Sequence, residues 1–157
     1  MKKTQRPKNN PGSISDDHYL LIDTTPDLSV RFGCADEKKI MLQTTKKITR
    51  ENRSNVLKLF VAFLKIARIR GSQIQGVFVV GGSGSFTAVR TGIAIAQTYA
   101  MVNNIPIAGV SEDVWHDHVQ FIKKLRLGTV IKPKYGRPPS ITRPRRAAKR
   151  LRRSDRP

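Results

Sequence analysis

The feature that most constrains this chain is Gly76-Val77-Phe78-Val79-Val80, running directly into Gly81-Gly82-Ser83-Gly84-Ser85-Phe86-Thr87. Five residues without a polar side chain, rich in β-branched and aromatic types, suit a strand apolar on both faces. Such a strand belongs in the middle of a sheet covered on both sides. A helix from about Ala88 to Asn103 follows the turn, and Ile105 to Val110 reads as the next strand. Upstream, residues 19–23 form a short apolar strand ending at Asp23-Thr24-Thr25-Pro26. Leu28 to Gly33 and Lys39 to Thr45 read as two further strands, with a hairpin at Gly33-Cys34-Ala35-Asp36-Glu37. A long helix is predicted from Arg50 to Arg70, stopped by Gly71. A last helix is predicted with Ser111 as its cap. Glu112 and Asp113 sit in its first turn and Lys123, Lys124 and Arg126 in its last, matching the helix dipole. The order predicts an α/β fold, a mixed five-stranded sheet with flanking helices.

Charge divides the chain. There are 30 Lys and Arg against 11 Asp and Glu, a net of +19, and residues 132–157 alone hold eleven cations and one anion. Seven of the nine prolines lie in residues 1–18 and 132–157. Proline-rich, charged sequence with little apolar surface cannot repay its ordering entropy, so both ends are expected to be disordered. Residues 19–131 are then the domain, flanked by a basic N-terminal segment (1–18) and a tail (132–157). No apolar run approaches the ~20 residues a membrane-spanning helix needs. The opening MKKTQRPKNN lacks the apolar core of a secretory signal. One cysteine, Cys34, allows no intramolecular disulfide, and a reducing cytoplasm is the expected setting.

Two helices and one turn carry functional signals. Over residues 56–69 the apolar side chains span an arc of about 220°, against the ~100° that a surface helix needs for a core. Such a helix is flanked by its own neighbours or has a second face for a partner protein. The later helix has Ala88, Gly92, Ala96 and Ala100 at spacing four, a ridge that lets another backbone come close. The glycine turn lacks the Lys of a Walker loop and the third glycine of a dinucleotide loop. Its glycines are read as permitting a tight turn and close helix–sheet packing, with anion binding by free amides as the alternative.

Other candidates are weighed similarly. His116 and His118, two apart, fall on different faces of a helix and are not expected to share a metal. Trp115, Val119, Ile122 and Leu125 have the spacing of core residues. Asp23 is assigned a structural role, and Cys34, with no base beside it, is expected to be inert.

Leu20-Leu21-Ile22-Asp23-Thr24-Thr25, then Gly82 to Ala94 (GSGSFTAVRTGIA), then Ile105-Pro106-Ile107-Ala108-Gly109-Val110-Ser111 resemble the TsaB (YeaZ) family. The motif residues are Gly82, Gly84, Ser85, Phe86, Thr87, Arg90 and Gly92, and the resemblance covers about residues 19–120. It implies a ribonuclease-H-like lobe of the actin/Hsp70 (ASKHA) superfamily. Ser83 and Ala88 depart from the Pro and Gly usual in that family. On this resemblance the family's second lobe is expected to be missing or reduced to the tail after Leu127.

The resemblance implies a non-catalytic scaffold for a TsaD-type threonylcarbamoyltransferase acting on tRNA, with a TsaE-like ATPase docking on the pair. TsaD binds metal through paired histidines on its first long helix, and residues 50–70 here contain none. By the same resemblance the first two long helices form the interface. The residues expected there are Asn55, Leu59, Phe63 and Ile66, with Arg90, Ala94, Thr98 and Met101. The same helices would allow a homodimer when TsaD is absent. No catalytic residue, metal or cofactor is expected; ATP or ADP would be the nucleotide if the glycine turn bound one.

The tail is an electrostatic footprint for RNA, through Arg143, Arg145, Arg146, Lys149, Arg150, Arg152 and Arg153. The alternative function is an RNA-binding accessory protein that acts through the tail without TsaD. A residual ATPase or peptidase is a third reading.

Overall fold

The computed structural model describes residues 17–49, 55–82 and 84–135. Its strands are β1 (His18–Asp23), β2 (Ser29–Ala35), β3 (Ile40–Lys47), β4 (Ile74–Val80) and β5 (Ile107–Val110). Its helices are α1 (Val56–Ala67), α2 (Phe86–Asn103) and the short α3 (Val119–Ile122), with 3-10 turns at Gly71–Gln73 and Glu112–Trp115. The sheet order is β3-β2-β1-β4-β5. β1, β2 and β3 form an antiparallel meander, while β4 and β5 join in parallel. This is the mixed five-stranded α/β sheet that the residue pattern predicts.

The two faces of the sheet explain the apolar β4. Val77 and Val79 point to one side, where α1 and α2 cover Leu20, Ile22, Val30 and Phe32. Phe78 and Val80 point to the other, against Tyr19, Leu21, Val114, Trp115 and Phe121. On the first side Phe32 contacts Phe60 and Phe63 at ring-centroid distances of 5.5 and 5.8 Å, and Phe60 meets Tyr99 edge-on at 5.7 Å. These contacts lock α1 to the sheet and to α2.

Several boundaries differ from the sequence expectation. α1 ends at Ala67, because Arg68 takes a left-handed conformation (φ 52°) three residues before Gly71. Residues 50–54, where the helix was expected to begin, lie outside the described residues. β2 runs through Gly33 to Ala35, so the hairpin turn falls at Asp36–Lys39, closed by Asp36 N–H donating to the Lys39 carbonyl at 3.0 Å. The last helix is the largest error. Ser111 donates its hydroxyl to the Asp113 carboxylate rather than capping, and a 3-10 turn and a four-residue helix replace the long one. Val119 is consequently exposed, not core. Matching charges to a dipole favours a helix without fixing its length.

After α3 the chain folds back along the open edge of β5. Arg126 and Ile107 exchange backbone hydrogen bonds of 3.0 and 3.2 Å, Ile131 lies against Gly109, and Lys134 N–H donates to the Gly81 carbonyl at 2.9 Å. Residues 132–135, grouped with the tail by composition, therefore hold defined contacts beside the glycine turn. Among the described residues, no helix is long and apolar enough to cross a membrane.

Candidate functional site

β1 and β4 are parallel, so their C-terminal ends bring Asp23-Thr24-Thr25 and the glycine turn to the same end of the sheet. Asp23 is fully buried. Its carboxylate accepts from the Thr25 N–H (2.9 Å) and hydroxyl (2.7 Å), from Arg31 Nε (3.1 Å) and Nη2 (2.7 Å), and from Trp115 Nε1 (3.3 Å). The antiparallel register pairs Asp23 with Arg31 directly across β1 and β2. Arg31 also lies 4.9 Å over the Trp115 ring. A buried carboxylate met by five donors has its charge compensated and its lone pairs occupied. Asp23 is thus committed to the fold, tying the sheet to the 3-10 turn that carries Trp115.

Gly84 and Gly92 serve packing, whereas a Cβ on Gly81 or Gly82 would meet nothing within 4 Å. A Cβ on Gly84 would stand 2.7 Å from the Thr25 Cα, and one on Gly92 would collide with the Thr24 hydroxyl. That hydroxyl donates to the Ala88 carbonyl at 2.7 Å. The end of β1 is therefore pressed against the first two turns of α2 at Gly92, and Ala96 and Ala100 further along the small-residue ridge are buried in the core. Two of the turn's amides are already spent: Gly81 N–H donates to the Val110 carbonyl (3.2 Å) and Gly84 N–H to Gly82 (2.8 Å). Ser85 caps α2 through its hydroxyl, which accepts from Ala88 N–H at 3.3 Å. Thr87 is exposed, and Ser83 lies outside the described residues. A cleft of about 70 Å³ between Thr24, Ser29, Ser85, Thr87 and Thr91 is far smaller than the ~300 Å³ at which ligand pockets begin.

The expected interface residues separate on the structure. Phe63 is 2% exposed and belongs to the core beneath α1, so it offers nothing to a partner. Leu59 is half-buried against the same core, and Asn55 is half-buried at the helix start. Ile66, Arg90, Ala94, Thr98 and Met101 are exposed, the last four lying along one stripe of α2. Leu57 and Val61 were not chosen from sequence, yet both are exposed on α1, on the opposite flank of the helix from Ile66. Helical spacing could not have found them, since it gives an arc without saying which part the sheet covers.

Arg90 has partners that sequence did not reveal. Its guanidinium sits 4.0 Å over the Phe86 ring, and its Nε donates to the Tyr135 hydroxyl at 2.8 Å. Phe86 and Tyr135 stack, with centroids 4.8 Å apart and planes 25° apart. The available signal was one tyrosine in a run of cations and prolines, too slight to place on α2.

His118 is buried with Nε2 2.5 Å from the Asp36 carbonyl oxygen, whereas His116 is exposed. Among the described residues, no group of three or more His, Cys, Asp or Glu could hold a metal. Backbone N–H groups of Lys39 and Lys38 donate to the Asp36 carboxylate and hold its pKa below the usual range. Burial pushes the Cys34 thiol up to about 12. The seven tail residues from Arg143 to Arg153 lie outside the described residues.

Comparison with known families places this arrangement. The family described as "TsaD: tRNA N6-adenosine threonylcarbamoyltransferase" matches residues 44–127, more than half of the 157. The chain belongs to that family. Among solved structures, YeaZ from Pseudomonas aeruginosa superposes with a TM-score of 0.54 at 21% identity, covering 65% of this chain and 50% of YeaZ. An uncharacterised protein described as similar to the peptidase YeaZ from Pseudomonas aeruginosa gives a TM-score of 0.53 at 24% identity, covering 60% of this chain and 43% of its own. These likenesses establish the fold, a mixed five-stranded sheet with flanking helices arranged as in YeaZ. The chain spans about half the length of the structures it matches. No curated protein matches the sequence.

Proposed function

We propose that this chain works in threonylcarbamoyladenosine modification of tRNA, as a non-catalytic scaffold for a TsaD-type partner. The observation that carries the reading is the exposed apolar surface of α1 and α2 on a lobe of this family. Leu57, Val61 and Ile66 are 58, 43 and 60% exposed, and Met101 is 83% exposed on the neighbouring helix. Large apolar side chains left exposed on two packed helices offer contact surface to another protein. Ala94 and Thr98, small and exposed, would let a partner helix approach α2 closely.

The scaffold role is supported over catalysis by two facts about the residues present. Asp23, the acid at the end of β1, has its oxygens taken up by five donors. The first long helix has no histidine with which to hold a metal. A TsaE-like ATPase would then act on the assembled pair, and the basic tail, with eleven cations in residues 132–157, would hold the tRNA.

The test is light-scattering chromatography of the full chain mixed with the TsaD-type protein of the same cell, at moderate salt and with nuclease. A 1:1 complex weakened by Leu57→Asp or Met101→Asp is expected. Two separate peaks would overturn the scaffold role and leave the RNA-binding alternative.

A further inference from the structure

The chain leaves the described domain at Tyr135, which is stacked on Phe86 and bonded to Arg90 at the first turns of α2. Both rings remain open to solvent, Phe86 at 54% and Tyr135 at 40% exposure. Lys132 and Lys134 are exposed on the same strap, and residues 136–157 add nine cations against one anion. The strap is anchored at both ends, by Arg126 on Ile107 and by Lys134 on Gly81. The aromatic pair is therefore fixed in position where the cationic tail begins.

We propose that Phe86, Tyr135 and Arg90 form a base-stacking platform for single-stranded RNA. Neither ring is needed to fill the core, since both lie outside the two buried clusters. A fixed, half-exposed aromatic surface framed by guanidinium and ammonium groups has the chemistry that takes unpaired nucleobases. Ring faces stack the base, and the neighbouring cations track the phosphates. The tail alone would hold RNA without regard to whether its bases are paired, whereas the platform selects a strand with an unstacked base. Arg90 then serves nucleic acid at the N-terminal end of α2. Protein docking falls to Ala94, Thr98 and Met101 further along that helix.

The proposal rests on the reading of the tail as an RNA-holding segment, and the experiment separates the two. The full chain is titrated with a short fluorescent oligoadenylate, and with a duplex of equal length, across a salt series. Phe86→Ala and Tyr135→Ala are each expected to weaken single-strand binding about tenfold, the loss of one stacked base, with the salt slope unchanged. Duplex affinity should move far less. Tyr135→Trp should retain or improve binding, and circular dichroism of each variant checks that the fold stands. An oligonucleotide carrying a photoreactive base should crosslink within the peptides that contain Phe86 and Tyr135. If the alanine variants bind single strands as well as the parent does, or lose duplex and single strand equally, the platform is overturned while the tail reading stands. If the parent chain binds neither nucleic acid at low salt, both fall.

Discussion

A glycine in the middle of a helix ordinarily costs about 1 kcal/mol against alanine. At position 92 the sign should reverse, because a methyl group there runs into the Thr24 hydroxyl. Gly92→Ala is expected to destabilise the fold by about 1–3 kcal/mol, the usual cost of overpacking. Adding Thr24→Ala should recover part of it, and a urea-denaturation double-mutant cycle would measure that coupling. Cys34 illustrates burial acting on chemistry. Its thiol is favoured over the thiolate in the fold, with its pKa pushed up to about 12 from 9.0. The stability drawn from this is complete below the unfolded pKa and falls away as pH rises from there toward the folded value. Native protein should therefore resist iodoacetamide at mildly alkaline pH, while urea-unfolded protein labels rapidly. Rapid labelling of the native state would show that the site is open. The sequence assigns Cys34 no reactivity because no base stands beside it, whereas burial is the cause the structure supplies. The donors to Asp23 were not legible in the sequence, since Arg31 arrives by strand register and Trp115 from 92 residues away.

At the scale of elements, α1 shows what periodicity can and cannot decide. Its apolar arc is evident from the spacing, and Leu57, Val61 and Ile66 within that arc stay exposed on the fold. Which residues lie inside depends on how Phe32 and Tyr99 meet the helix, and neither contact is encoded within it. Phe63 faces inward and Leu57 outward. Phe63→Ala is expected to cost about 3–5 kcal/mol of folding stability, as for a large core deletion, with partner binding affected only through the fold. Leu57→Ala should leave stability within about 0.5 kcal/mol and weaken the complex with the TsaD-type partner. Equal stability losses would mean that the helix is rotated from the orientation described. The last predicted helix failed for a related reason. Local caps and charges suited it, but Trp115 must turn inward to reach Asp23, and a 3-10 turn followed by a break is what allows that.

For the molecule as a whole, the strap over β5 closes one edge of the sheet. Cutting the chain after Tyr135 should leave thermal stability nearly unchanged while removing most of the cationic tail. Cutting after Leu125 removes the backbone pairing with Ile107 and exposes the β5 edge, so self-association by light scattering is expected. Identical behaviour of the two truncations would contradict the strap. The sequence by itself determined the sheet, the order of its elements and the concentration of charge in the tail. Each of these rests on local pattern: hydrophobic period, turn chemistry, side-chain size and composition. Tertiary structure alone decided which face of α1 is buried, how Asp23 is neutralised, and that Tyr135 returns to Arg90 and Phe86. Those outcomes depend on contacts between residues far apart in the chain, which no local window of sequence contains.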